Sequence, residues 1–251
     1  MLNNSKCHRL LLANKRGFSI LLLLLTLGRS TIAQPTSAVD LLNKSIRYHD
    51  PDGIWSHQQH LIDLEEKRPD GTIRHTHLTI ELEDDLFILN QKRDEYQIEC
   101  QIIGTDVKIQ IDGENASDSS LIKKYRLTSD RMLLLRNYYT YLYGLPMKLK
   151  DPGTLLRPEI LDTTFQGKEV YGLEVTYDPN VGADIWYFYF DKNNYSLCGY
   201  RFYHYQGAND GEYITLDGEI RKDKWKIPKN RKWFTHQEGK FLGEDVVKAL
   251  N

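Results

Sequence analysis

The amino-acid sequence predicts an α+β fold that is mostly β: one strongly curved antiparallel sheet with helices packed in its concave face. From residue 54 onward, segments of about 8–12 residues alternate with turn signals, as in an antiparallel meander. Only two stretches, 37–49 and 119–145, show helical spacing of apolar residues. No repeat or break in composition marks a second domain, so we expect residues 34–251 to form one domain.

Residues 1–33 have the pattern of a cleavable export signal. An apolar run from Phe18 to Leu27 is followed by small and polar residues ending at Ala33. It is preceded by basic residues and no acidic one, namely Lys6, Arg9, Lys15 and Arg16. The run is shorter than the roughly 20 apolar residues that span a bilayer, which argues against an uncleaved anchor. A buried helix is the other, less favoured alternative. Cys7 precedes the run, so no cysteine is placed for lipid attachment. We expect cleavage after Ala33 and a periplasmic or secreted protein.

The charge of the domain limits the partners that it can bind, and its cysteines allow one disulfide. The chain has a formal net charge of −2, and residues 1–33 hold five basic side chains and no acidic one, so residues 34–251 carry −7. An acidic domain argues against binding to nucleic acid. Cys100 and Cys198 could pair in an oxidising compartment or be ordinary buried thiols.

The first half of the domain reads as a helix followed by five strands. The helix over 37–49 stops at Asp50-Pro51-Asp52-Gly53, because proline cannot continue it and glycine accepts the turn. Arg68-Pro69-Asp70-Gly71 predicts a turn between the first two strands. The five strands are expected near 54–66, 72–82, 85–92, 95–103 and 106–112.

The segment 119–145 interrupts the β pattern and predicts an aromatic-rich helix. Ser129-Asp130 can cap its longer part, and Gly144 followed by Pro146 matches a helix end. The chain then returns to strands, expected near 158–166, 169–177, 184–191, 196–206, 212–223, 225–236 and 239–247.

The run from Asp184 to Asp191 carries the most informative alternation. In a strand its Trp and Phe side chains share one face and its Ile and Tyr side chains share the other. Because a tyrosine hydroxyl tolerates water, we place the Trp and Phe row inward. Two helical elements must cover this aromatic surface, and they either fill the concavity or leave an apolar cavity. Close packing of protein interiors favours the filled core when the residues are considered alone.

No motif in the chain requires a particular chemistry. His57, His60, His75 and His77 fall on two adjacent predicted strands, and a tight turn at Asp70-Gly71 would place Glu66 opposite His75 as a third metal ligand. A solvated polar face is the favoured interpretation. The acidic clusters at 65–66, 83–85 and 94–95 fall at strand ends, where solvation is again expected. We therefore predict no catalytic residue, no metal, no cofactor and no enzymatic activity.

A basic stretch mixed with tryptophan, 221–233, could touch an anionic envelope surface. The favoured interpretation is the solvated face of a hairpin whose Trp225 and Trp233 point inward, because alternation alone explains the pattern. Peripheral contact with the envelope stays open as an alternative, and the sequence does not identify a protein partner.

Several runs together resemble an uncharacterised family of exported bacterial proteins. They are Ser45–Pro51 with Trp55, Asn137–Gly153, Asp184–Asp191 and Gly211–Ile214. The family is similar in fold to periplasmic lipoprotein-sorting carriers, which implies a half-barrel closed by helices around an apolar cavity. It has no established activity, so the resemblance transfers no catalytic residue.

With the resemblance included, the main hypothesis is a non-enzymatic binding protein that holds an apolar or lipid-like ligand. The expected cavity-lining residues are Trp186, Phe188, Phe190, Phe202, Tyr138, Tyr141 and Leu142. The alternatives are an envelope scaffold without a ligand, which would expose an apolar patch, and a metal-dependent hydrolase built on the histidines.

Overall fold

A computed structural model describes residues 34–251, and the predicted export signal lies outside these residues. They form one 13-stranded antiparallel sheet. The strands are β1 (Gln59–Lys67), β2 (Ile73–Glu81), β3 (Leu86–Arg93), β4 (Tyr96–Ile103), β5 (Asp106–Ile111), β6 (Glu114–Asn115), β7 (Thr154–Phe165), β8 (Lys168–Tyr177), β9 (Ile185–Asp191), β10 (Leu197–Tyr203), β11 (Glu212–Lys222), β12 (Trp225–Thr235) and β13 (Phe241–Leu250). The helices are α1 (Ala38–His49), α2 (Ser119–Tyr125) and α3 (Ser129–Gly144), with 3-10 turns at Ile54–Ser56 and Met147–Lys150.

Two meanders meet at the centre of the sheet. Strands β1 to β6 run outward to one edge, β13 back to β7 run outward to the other, and the β1–β13 pair joins the halves. The chain must therefore pass from one edge strand, β6, to the other, β7, and it does so through α2 and α3. Six strand spacings separate β1 from β8, about 29 Å in a flat sheet. Two tyrosines of α3 that are only two residues apart nevertheless bond to these strands, Tyr139 to β1 and Tyr141 to β8. The sheet therefore curves around α3, and this confirms the predicted half-barrel with helices in its concave face.

Local chemistry explains where α1 begins and ends. The Ser37 hydroxyl caps the helix by accepting the Asp40 N–H at 3.2 Å. After the helix, the Asp50 carboxylate accepts the N–H groups of Ile54 and Trp55 at 2.8 and 3.0 Å. These bonds fix the 3-10 turn, so β1 begins at Gln59 and not at residue 54 as predicted.

The predicted central helical segment is two helices. Arg126, with φ 57° and ψ 48°, adopts the left-handed conformation and ends α2. The Thr128 hydroxyl then caps α3. At the far end, Gly144 lies against the indole of Trp55, 2.5 Å from where a Cβ would stand, so a side chain here would displace the tryptophan.

The β1–β2 turn differs from prediction by one residue. Arg68 donates its N–H to Thr72, and Gly71 closes a three-residue loop with φ 83°. Glu66 therefore pairs with Arg74, and His75 pairs with Glu65. The expected placement of Glu66 opposite His75 was wrong because the loop is longer than a two-residue turn.

No helix within residues 34–251 has both the length and the apolar character that a bilayer crossing requires. Cys100 on β4 and Cys198 on β10 are free thiols.

Candidate functional site

The tyrosines of α3 connect the helix to the concave face of the sheet. Tyr139 donates its hydroxyl hydrogen to Glu66 of β1 at 2.7 Å, and Tyr143 bonds Asp245 of β13 at 3.3 Å. Tyr141 reaches the other half of the sheet, with its hydroxyl 2.5 Å from that of Tyr177 on β8. A buried tyrosine needs a partner for its hydroxyl, and the sheet supplies one for each of these three. The helix is thereby fixed in position and rotation.

A row of charged residues lies beneath α3 across four adjacent strands; three of them are buried and the fourth, Arg74, is half-buried. The register pairs Arg74 with Glu66, Glu66 with Asp245, and Asp245 with Arg231. Arg74 binds Glu66 through two nitrogens at 2.7 and 2.5 Å. Arg231 donates to the Pro228 and Leu142 carbonyls and lies 4.3 Å from the centre of the Tyr143 ring. The central strands of the sheet therefore carry a polar band inside the apolar core.

The two carboxyl groups of the row titrate differently because their partners differ. Burial, reinforced by the neighbouring Glu66, raises the pKa of Asp245 to about 7. Burial acts on Glu66 as well, but hydrogen bonds from Arg74, Thr76 and Tyr139 outweigh it and lower the pKa of Glu66. Glu66 was predicted to be solvated, and that was wrong: its fractional exposure is 7% because it faces the concave side.

An apolar groove of about 750 Å³ opens between α3 and the sheet. One wall consists of Tyr138, Tyr141 and Leu142 of α3. The opposite wall comes from β9 to β12, and a third side comes from β2 and β3; these walls include Trp186, Tyr200, Phe202, Ile214, Trp233, Ile80, Leu82 and Phe87. The volume falls in the range of about 300–1,000 Å³ that is usual for ligand sites.

Trp186 is the centre of the groove's aromatic wall. Its ring lies 4.8 Å from Phe202, 6.1 Å from Tyr200 and 6.1 Å from Tyr141, measured between ring centroids. The Tyr200 hydroxyl is buried and has no hydrogen-bond partner among the described residues. This part of the groove wall is therefore an aromatic surface.

The structure brings five of the seven sequence-predicted cavity residues to this groove: Trp186, Phe202, Tyr138, Tyr141 and Leu142. Phe188 and Phe190 share the face of Trp186 but have no exposed surface, because they pack in the core below it. On the opposite face of β9, Tyr189 stacks on Phe165 at 4.3 Å in a separate cluster.

The histidines considered as metal ligands do not converge. His60 is buried against Trp55 and Trp225, with ring centroids 4.9 and 4.4 Å away. His57 faces Glu83 and His77 faces Asp63 on the outside of the sheet. Over the described part of the chain, no three His, Cys, Asp or Glu side chains are grouped closely enough to hold a metal ion.

The basic stretch 221–233 comprises the end of β11, the turn and most of β12. Trp225 is 1% exposed and packs in the core, as the inward interpretation predicted. Trp233 also faces inward, and it lines the groove instead of packing in the core.

Comparison with known proteins finds one matching family and several solved structures of similar fold. A model of a family of unknown function, DUF6503, matches residues 15–248. No curated protein matches the chain. A LolA superfamily protein from Nitrosomonas europaea has a solved structure that is 12% identical, with a TM-score of 0.52, over 86% of this chain and 93% of that one.

Two further structures match with lower TM-scores. A domain from Vibrio parahaemolyticus, ascribed to outer membrane lipoprotein sorting, is 16% identical over 84% of this chain and 92% of its own, with a TM-score of 0.47. A DUF1329 family protein from Desulfovibrio piger is 12% identical over 87% and 93%, with a TM-score of 0.49. At these identities the likeness concerns the fold alone.

Proposed function

The chain belongs to the family of unknown function DUF6503, and we propose that it is a non-enzymatic binding protein that carries an apolar, lipid-like ligand in the groove beside α3. The observation that carries this proposal is the groove itself: about 750 Å³ lined mainly by aromatic and aliphatic side chains. The fold of the chain is similar to that of a LolA superfamily protein, and this likeness supports the proposal by analogy.

The chemistry of the groove favours an apolar chain over a polar metabolite. Small polar ligands are held by several convergent polar groups, whereas the inner walls here offer rings and methyl groups. The charged residues of its lining are mostly engaged with one another or with neighbours. Arg136 lies 3.8 Å from Asp85, Lys148 pairs with Asp151, and Asp184 accepts from a histidine outside the groove. These pairs leave the inner walls to hydrophobic contact.

Binding of a fluorescent fatty-acid probe tests the groove directly. Trp186→Ala removes the central ring of the wall, and we expect binding to weaken about tenfold, since burying a large side chain against a ligand is worth about 1.5–3 kcal/mol. Tyr187→Ala is the matched control, because Tyr187 is the next residue on the same strand and faces the opposite side. The proposal fails if the wild-type protein does not bind the probe, or if both variants weaken binding equally.

We also propose that the protein acts in the cell envelope after removal of residues 1–33. The basic start, short apolar run and small residues before Gln34 support this. Amino-terminal sequencing of protein recovered from the envelope should begin at Gln34. Protein that retains the amino-terminal segment and stays in the membrane fraction would contradict export by cleavage.

A further inference from the structure

A second cavity, of about 480 Å³, lies at the other end of β2 and β3 and is strongly basic. Its lining contains one acidic residue, Glu66, and six cationic ones, which we call the arginine pocket: Arg68, Arg74, Arg93, Lys124, Arg126 and Arg131. The same domain carries a net charge of −7, so this concentration of positive charge runs against the charge of its surroundings.

Two of the six cations are neutralised and four are not. Arg74 is paired with Glu66, and Lys124 is paired with Asp94 at 2.7 Å. The other four have no ion pair with any residue in the described range 34–251; they are Arg68, Arg93, Arg126 and Arg131. Burial, and after it the charges of Arg74 and Arg68, lower the pKa of Arg93.

The pocket is built by ordered parts of the fold. Arg93 donates from Nε to Gln91 at 3.0 Å, and Gln91 is bonded in turn to Thr76 at 2.8 Å. Neither terminal nitrogen of Arg93 bonds to another of the described residues, so that edge of the guanidinium is free for a ligand. Arg68 is placed by the three-residue β1–β2 loop, whose backbone is closed by two hydrogen bonds.

The α2–α3 connection supplies the remaining side of the pocket. Arg126 sits in the left-handed conformation that usually selects glycine or asparagine at a helix end. Arg131 lies in the first turn of α3, where the helix dipole also favours a negative charge. An arginine in a disfavoured backbone conformation at a cavity wall is consistent with a functional constraint.

We propose that the arginine pocket is a binding site for a phosphate-type oxyanion. The guanidinium fork matches phosphate oxygens with two parallel hydrogen bonds. A carboxylate carries one charge and would leave three of the four uncompensated arginines without an anionic partner, whereas a phosphate monoester carries close to two charges and has three free oxygens.

Two sources of the phosphate fit the geometry. Tyr138 lines both the arginine pocket and the groove, so a long ligand could place its apolar chain in one and its phosphate in the other. Arg74 and Ile80 of β2 each line one of the cavities and lie six residues apart, about 20 Å along the strand. A small phosphate compound would occupy the pocket alone. Only the first source rests on the proposed carrier function.

Isothermal titration with inorganic phosphate tests the site without reference to the groove. We expect saturable binding to the wild-type protein, and Arg93→Gln and Arg126→Gln should each weaken it about tenfold, the effect of losing a charge-assisted hydrogen bond. Arg126 is exposed, so its variant folds even if loss of Arg93 disturbs the core. Arg93→Lys should also weaken binding, because it keeps the charge and loses the fork.

The control is Arg221→Gln, which removes the same charge from an exposed site on β11 and should leave binding unchanged. Absence of a phosphate response in the wild-type protein overturns the proposal. So does equal weakening in the control, because that result would assign the binding to net charge.

Titration with monododecyl phosphate and with dodecanol identifies the source. If the phosphate is the headgroup of a long ligand, dodecyl phosphate should bind at least about ten times more tightly than inorganic phosphate. Trp186→Ala should then remove this difference in affinity. If inorganic phosphate and dodecyl phosphate bind with equal affinity, and both depend on the arginines, the natural ligand is a small phosphate compound that occupies the pocket alone. Dodecanol that fails to bind while phosphate still binds refutes the carrier proposal and leaves the oxyanion site standing.

Discussion

Replacing Asp245 with asparagine should stabilise the protein increasingly as the pH rises. Asp245 lies beside Glu66 in the charged row, and burial followed by that like charge raises its pKa from the ordinary 3.8 to about 7. A carboxyl group that binds its proton more tightly in the folded state contributes full stability below pH 3.8 and loses it as the pH rises through 7. An asparagine of similar shape has no proton to lose.

The size of the effect follows from the shift. Three pKa units correspond to about 4 kcal/mol, which is an upper bound because relaxation and water entry reduce the cost of the buried charge. We expect the Asp245→Asn and wild-type proteins to have similar free energies of unfolding near pH 4. The variant should become more stable by up to about 4 kcal/mol near pH 8.

The quantity to compare is the difference in free energy of unfolding between Asp245→Asn and wild type at each pH. Burial lowers the pKa of His49 to about 4, and its stabilising contribution is lost as the pH falls below 6.5. That slope has the opposite sign to the slope from Asp245, so the wild-type curve alone can be nearly flat. His49 is present in both proteins, and its contribution cancels in the difference.

Urea unfolding followed by far-ultraviolet circular dichroism at four pH values between 4.5 and 7.5 measures this difference. Asp217→Asn on β11 is the control, since it makes the same substitution at an exposed carboxylate. A difference between Asp245→Asn and wild type that stays constant with pH would refute the account of the charged row.

Two further substitutions test the packing around the site. Glu66→Gln leaves the half-buried Arg74 without its anionic partner and should lower the free energy of unfolding by up to about 3–5 kcal/mol. Glu65→Gln, on the outer face of the same strand, should change it by less than about 1 kcal/mol, and urea unfolding at pH 7 checks both. Gly199→Ala would place a methyl group 2.6 Å from the Ile214 carbonyl oxygen on the neighbouring strand, and we expect a loss of about 1–3 kcal/mol in the same assay; an unchanged midpoint would contradict this packing.

Most of the sheet could be predicted from sequence because its signals are local. Strand alternation and the turn residues between strands placed eleven of the segments close to the observed strands β2 to β5 and β7 to β13. Strand β6 was not predicted, because its two residues are too few to show alternation. The inward orientation of Trp186 followed from the tolerance of tyrosine for water, and the groove wall contains it.

The charged row and the arginine pocket were missed because they depend on register and on distant segments. Glu66 and Arg74 face each other only in the observed register, and the predicted two-residue turn moved the pairing by one position. Asp245 joins them from a strand almost 180 residues later in the chain. The arginines of the pocket come from a turn, two strands and the α2–α3 connection, so no spacing along the chain groups them.

The central claim is that the groove beside α3 holds an apolar ligand, and native mass spectrometry of the mature protein purified from its own envelope tests it most directly. We expect a near-stoichiometric species heavier than the polypeptide, which organic extraction releases as an acyl-chain compound and which Trp186→Ala depletes. A bare polypeptide mass in the wild-type protein, together with no binding of the fatty-acid probe, would contradict the carrier account.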